Sequence, residues 1–151
     1  MARARRAAVI RHRYLVWPIV LGVWLSGVLW LVFHDFLMRP GEFGLTAHPL
    51  EQWWLRAHGA FAFASLWLLG FLSVAHVGGR WAWRRQRRSG LVLLGVYIWL
   101  VLTGYLLYYA GGDEFRAAVS LGHWTVGLAA LIFLLLHRRI RRSAGGRRSV
   151  L

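Results

Sequence analysis

Four long, nearly charge-free apolar runs set the limits on what this chain can become. They lie at about residues 14–34, 57–77, 90–109 and 117–137. An α-helix needs about 20 apolar residues to cross a bilayer core about 30 Å thick. Inside that core every backbone amide must find its partner within the structure, which leaves helices or closed barrels as the spanning forms. Runs of this length read as helices. With 58% hydrophobic residues, ten Trp and a mean hydropathy of +0.49, the chain falls among membrane proteins. The expected fold is all-α, an integral-membrane four-helix up-down bundle, since the connections at about 35–56, 78–89 and 110–116 are short.

The first run follows a basic leader, MARARRAAVIRHR, which resembles the n-region of a signal peptide. Its apolar part is longer than an h-region and no small-residue cleavage site follows, so an uncleaved first membrane helix is expected, with Pro18 near its start. The expected organisation is a basic leader over 1–13, a transmembrane domain over 14–137 and a mobile basic tail over 138–151.

Charge sets the direction of the helices. All 19 basic residues are Arg, and 16 of them fall in the leader, the second connection and the tail. Arg39, Arg56 and Arg116 and all five acids (Asp35, Glu42, Glu51, Asp113, Glu114) fall on the opposite side. The positive-inside rule places both termini in the cytoplasm, with the first and third connections outside. A net charge of +14 also suits nucleic acid, but arginines blocked beside apolar spans serve orientation and anionic lipid headgroups instead, and no nucleic-acid partner is expected. Without cysteine the chain has no disulfide, thiolate metal site, iron–sulfur cluster or covalent Cys-x-x-Cys-His haem attachment.

Histidine is the remaining signal. The second run is bracketed by His58 and His76 and the fourth by His123 and His137. The two runs share a direction, so His58 and His123 lie near the outer face and His76 and His137 near the inner face. Eighteen residues of helix rise about 27 Å and return to the starting face, while fourteen rise about 21 Å and miss it by about 40°. Each helix therefore carries both histidines on one side. A b-type haem takes two neutral imidazoles, one from each side of the ring, so two bis-histidine sites between the second and fourth helices are expected. Small residues leave room for a porphyrin: Gly59, Ala60 and Ala62 beside His58, Gly70 and Ser73 near His76, and Gly122 and Gly127 beside His123. Arg56 outside, and Arg80, Arg138 and Arg139 inside, are candidate partners for propionates. A lone histidine at a span end can equally be a headgroup anchor; four in register on parallel helices make a stronger case. The unequal spacing makes the inner pair the better matched. If the outer one fails, His34 is a substitute ligand or a single haem is bound.

The four spans, the histidine-bracketed second and fourth helices and the HW…G…LLH run of the last helix resemble bacterial membrane b-type di-haem cytochromes, the small cytochrome b subunits of respiratory enzymes, over roughly Trp53–Arg139. The resemblance implies transmembrane electron transfer by a subunit of a respiratory redox complex rather than a self-contained enzyme. Its implied partners are membrane lipid, a redox protein such as a c-type cytochrome or a dehydrogenase, and quinone.

Two rivals stand beside that expectation, a haem-free membrane scaffold or assembly subunit and a small transporter relaying protons through histidines. Gly111–Phe115 spells GGDEF, the signature letters of diguanylate cyclases, but a five-residue match in a short outer loop without the surrounding domain reads as coincidence. The outer loop holds His34, Asp35, Glu42, His48 and Glu51 without metal-ligand spacing, which favours a polar loop.

Overall fold

A computed structural model describes the backbone of residues 2–80 and 84–146 and the side chains of 15–71 and 89–139. The elements are α1 (Ala2–Asp35), β1 (Arg39–Gly41), β2 (Gly44–Thr46), α2 (Pro49–Arg80), α3 (Arg84–Tyr109) and α4 (Asp113–Gly146). The chain divides into two compact units, Met1–Val77 and Gly78–Leu151. Each is an antiparallel helical hairpin. In the first, α1 and α2 meet from Gly22 beside Phe61 out to His34 beside Glu51. In the second, α3 and α4 meet from Ser89 beside His137 out to Thr103 beside His123.

Three helices are long and apolar enough to cross a membrane, over Leu15–Asp35, Ser89–Tyr109 and Asp113–Arg139. The fourth expected span, 57–77, runs past residue 71, beyond the described side chains. The surface of these helices is what lipid requires. Among the described residues Leu68 is the one buried hydrophobic side chain, while Phe63, Trp67, Leu102 and Ile132 stand more than half exposed.

The helices run further than the apolar runs. The leader is part of α1, and the tail expected to be mobile from 138 continues α4 to Gly146. Ala and Arg are strong helix formers, and extending an existing helix adds a hydrogen bond for each residue fixed. Because α1 begins at Ala2, Pro18 lies in its middle rather than near its start, and removes one ladder hydrogen bond there.

The first connection is ordered. β1 and β2 pair antiparallel in the register Arg39↔Thr46, Pro40↔Leu45 and Gly41↔Gly44. Gly44, at φ 121°, takes a backbone conformation that other residues rarely adopt. The Thr46 hydroxyl donates to the Arg39 carbonyl at 3.2 Å. Such short, exposed strands offer no periodicity to detect. α2 then opens on His48 and Pro49. The Leu50 amide donates to His48 Nδ1 at 3.1 Å, so His48 acts as an N-cap, and proline is well suited to the first helical position.

The third connection is only 110–112. Gly112, at φ 87°, makes the turn, and the Arg116 amide donates to its carbonyl at 3.0 Å. Asp113 and Glu114 occupy the first turn of α4, where the helix dipole favours negative charge. The letters GGDEF are thus a helix-to-helix turn followed by an acidic helix start.

Candidate functional site: two matched histidines

Buried polar groups are costly in an apolar protein and are kept only where they have partners. Among the described residues two polar side chains are buried, Ser26 at 2% exposure and Thr103 at 5%. Each lies in the first helix of its hairpin, between a leucine and a glycine: Leu25-Ser26-Gly27 in α1 and Leu102-Thr103-Gly104 in α3. Each also faces a histidine of the second helix.

In the first hairpin, His58 Nδ1 lies 2.9 Å from the Val23 carbonyl and 3.4 Å from Ser26 Oγ. A carbonyl only accepts, so Nδ1 carries the proton and donates it. The Ser26 hydroxyl in turn donates to the Gly22 carbonyl at 2.6 Å. In the second hairpin, His123 Nδ1 lies 2.9 Å from Thr103 Oγ1, which donates to the Trp99 carbonyl at 2.7 Å. With the hydroxyl proton committed to Trp99, Oγ1 accepts from His123 Nδ1. A neutral imidazole bonded in either of these ways has its lone pair on Nε2.

The adjacent glycines let the rings pack. A Cβ at Gly27 would sit 3.0 Å from His58 Cε1, and one at Gly104 would sit 3.3 Å from His123 Cε1. His58 comes nine residues after Pro49, the first residue of α2, and His123 ten residues after Asp113, the first of α4. The two histidines occupy equivalent places in two related hairpins.

Counted from the same helix starts, His76 and His137 stand 27 and 24 residues in. His137 Nδ1 lies 3.0 Å from Ser89 Oγ of α3, so both histidines of α4 address the same neighbouring helix. His76 and Arg80 belong to α2, and their side chains lie outside the described residues, as does that of His12.

The other expected site residues are distributed as follows. Arg56 precedes His58 by two residues, about 200° round the helix, and its guanidinium lies 5.3 Å over the Trp53 ring. Arg138 and Arg139 directly follow His137 on α4. Gly122 and Gly127, expected to open a gap for a porphyrin, face α3 instead: a Cβ at Gly122 would meet Trp99 at 3.4 Å and one at Gly127 would meet Leu100 at 3.7 Å. They let α3 and α4 approach closely, a common use of small residues in membrane helices. A Cβ at Gly59 or Gly70 would meet nothing within 4 Å.

At the loop end of the first hairpin, His34 Nδ1 is 2.8 Å from Glu51 Oε1, and its ring stacks on Trp30 with centroids 4.7 Å apart. His48 Nε2 lies 2.7 Å from Arg39 Nη2. A neutral imidazole has a single lone-pair nitrogen, so His48 accepts from Arg39 or from the Leu50 amide, not from both at once. Among the described residues no group of three or more His, Asp or Glu is placed to hold a bare metal ion. A haem iron asks less of the protein, two axial imidazoles, with the porphyrin supplying the remaining ligands.

Ser26 and Thr103 carried a signal that a search for titratable residues passes over. A hydroxyl next to a glycine, deep in an apolar span, occurs once in each hairpin at the level of a histidine. No protein-family model, curated protein or solved structure matches this chain.

Proposed function

We propose that the chain is a b-type cytochrome of the bacterial inner membrane, a four-helix up-down bundle with both termini cytoplasmic. It serves transmembrane electron transfer within a respiratory redox complex. His58 and His123 are assigned as the outer pair of axial ligands, and His76 and His137 as the inner pair. Haem, when bound, supplies a one-electron carrier. The chain's part is to hold neutral imidazoles in a defined tautomer and orientation and to keep water away from them. Quinone and a partner protein are the proposed sources and sinks of electrons.

The observation that carries this reading is the matched Nδ1–H bonding of His58 and His123. Histidines that bind metal almost always donate their other ring N–H to a carbonyl, carboxylate or similar acceptor, which presents Nε2 to the metal. Headgroup anchors would have no need of such support, nor of a glycine cut to fit each ring. The donor set therefore fits haem iron.

The test is a reduced-minus-oxidised absorption spectrum of the full-length protein, expressed with ample haem, together with haem quantitation. The expected result is a sharp α-band and two b haems per chain. One haem would sink the assignment of one pair, and a colourless protein would sink the whole reading.

A further inference from the structure

The loop end of the first helical hairpin is ordered but bare. β1 and β2 pair in a single register, and Glu42 and Phe43 join the closing Gly41↔Gly44 pair. Paired residues share a face of a ladder, and successive residues alternate between faces. Arg39 and Thr46 therefore stand on one face, and Pro40 and Leu45 on the other. The first face is held by the protein. Arg39 Nη2 lies 2.7 Å from His48 Nε2, and the His48 ring packs on Phe33 with centroids 4.7 Å apart. The second face has no cover among the described residues. Leu45 is 73% exposed, and Phe43 at the tip is 97% exposed. Phe36, Leu37 and Met38, which lead into β1, are exposed as well.

Large apolar side chains exposed together in one short segment mark a surface that something covers. An isolated two-stranded hairpin is marginal in water, and this one has strands of only three residues. Three observations identify the cover as lipid. The first is continuity: the apolar span Leu15–Asp35 is followed at once by Phe36, Leu37 and Met38. The second is reach. Arg39 is four residues past the end of that span, at most about 14 Å along an extended chain, and Thr46 is tied by two residues to Pro49, the first residue of α2. Both tethers hold the strands beside the headgroup layer. The third is the edge. A protein partner can add a strand to a free sheet edge, but Pro40 has no N–H to offer on β1, and proline on an edge strand blocks such pairing.

We infer that β1 and β2 form a membrane-surface anchor, whose ligand is the interfacial layer of the nearer lipid leaflet. Phe43 and Leu45 insert between the headgroups, with Phe36 and Met38 at the margin. The face carrying Arg39 and Thr46 stays in the polar layer. The strength of such an anchor follows the apolar area it buries in lipid. It fixes the loop ends of α1 and α2 against the bilayer and needs no haem, so it stands or falls apart from the function proposed above.

The chain contains no cysteine, so Phe43→Cys, Leu45→Cys and Thr46→Cys each give a single attachment point for a nitroxide. The full-length variants are placed in nanodiscs of phosphatidylcholine with a minor share of phosphatidylglycerol. Electron paramagnetic resonance then measures collisions of the label with oxygen, which concentrates in lipid, and with a water-soluble nickel chelate. The ratio of oxygen to nickel collisions is expected to be several-fold higher at positions 43 and 45 than at 46. Equal ratios at all three would overturn the inference. Shielding of 43 and 45 from both reagents would overturn it too, because the cover would then be protein, either a second copy or another part of this chain. A nitroxide is itself apolar, so the unlabelled wild type gives the deciding measurement. Its Phe43 ring resonance, assigned by its loss in Phe43→Leu, is expected to broaden with lipid that carries a nitroxide near the glycerol end of its acyl chain, and to survive a water-soluble gadolinium chelate. Broadening by the gadolinium chelate alone would refute the anchor.

Discussion

The two hairpins are built alike inside and differ in their caps. In each, a Leu-hydroxyl-Gly step on the first helix receives a histidine from the second, through Ser26 and His58 or Thr103 and His123. The connections differ. One is a three-residue turn at 110–112, and the other is an ordered β-hairpin over Arg39–Thr46 with an N-cap at His48. The hydrogen bonds differ as well. His123 leans on a threonine hydroxyl at 2.9 Å, while His58 leans on the Val23 carbonyl at 2.9 Å with Ser26 further off at 3.4 Å. What both hairpins share is the placement of one imidazole, and the shared feature is where a common function is to be sought.

The most direct way to break the comparison is to remove each histidine. If the two are equivalent partners, His58→Ala and His123→Ala will cause the same loss, one b haem per chain, with the second haem remaining. Haem quantitation of each variant checks this. Unequal losses, or full haem content in either, would separate the two positions. His137→Ala is expected to remove the other haem.

Much of this was legible in the sequence because the governing signals are long. Spans of about 20 apolar residues announce helices whatever their neighbours. The leader and tail were harder. Their charge was plain, but helix continuation through Arg13 and Arg142 depends on propensity and on an adjacent helix, not on hydropathy. The β-hairpin was invisible because three-residue strands carry no period. At the site, the histidines stood out by type, whereas Ser26 and Thr103 became meaningful only once the pairing of α1 with α2 and of α3 with α4 set their levels.

Filling the glycines sharpens the comparison next. A methyl at Gly27 would stand 3.0 Å from His58 Cε1 and 3.1 Å from Nδ1, tighter than the 3.3 Å at Gly104. Overpacking of this kind costs about 1–3 kcal/mol. Gly27→Ala is expected near the top of that range and Gly104→Ala near the bottom, and thermal unfolding in detergent measures both. A larger effect at Gly104 would show that the second hairpin is the more rigid, against the distances.

The hydroxyls come after the glycines. Thr103→Val keeps the side chain's volume and deprives His123 Nδ1–H of its acceptor, at a cost of about 1–2 kcal/mol. Ser26→Ala leaves His58 its bond to the Val23 carbonyl, so its cost is expected to stay under about 1 kcal/mol. Thr103→Ser restores an oxygen and is expected to recover most of the loss. Denaturant unfolding gives the stabilities. The midpoint potential of the outer haem separates orientation of the imidazole from simple packing: it is expected to move in Thr103→Val and return in Thr103→Ser.

The smallest effect concerns the caps. Glu51 and Glu114 both sit in the first turn of a second helix, where each gains from the helix dipole, and only Glu51 adds a partner, His34 at 2.8 Å. Glu51→Gln and Glu114→Gln lose the same dipole contribution, so the difference between them isolates the pair. His34 is 45% exposed, and ion pairs open to solvent are worth about 0–1 kcal/mol. Glu51→Gln is expected to be the more destabilising by no more than that. In about 1 M salt, where charges are screened beyond about 3 Å, the difference is expected to shrink. A difference well above that range, unchanged by salt, would mean that the His34–Glu51 contact is part of the hairpin's packed structure and not a surface pair, and that the two caps differ in stability as well as in shape.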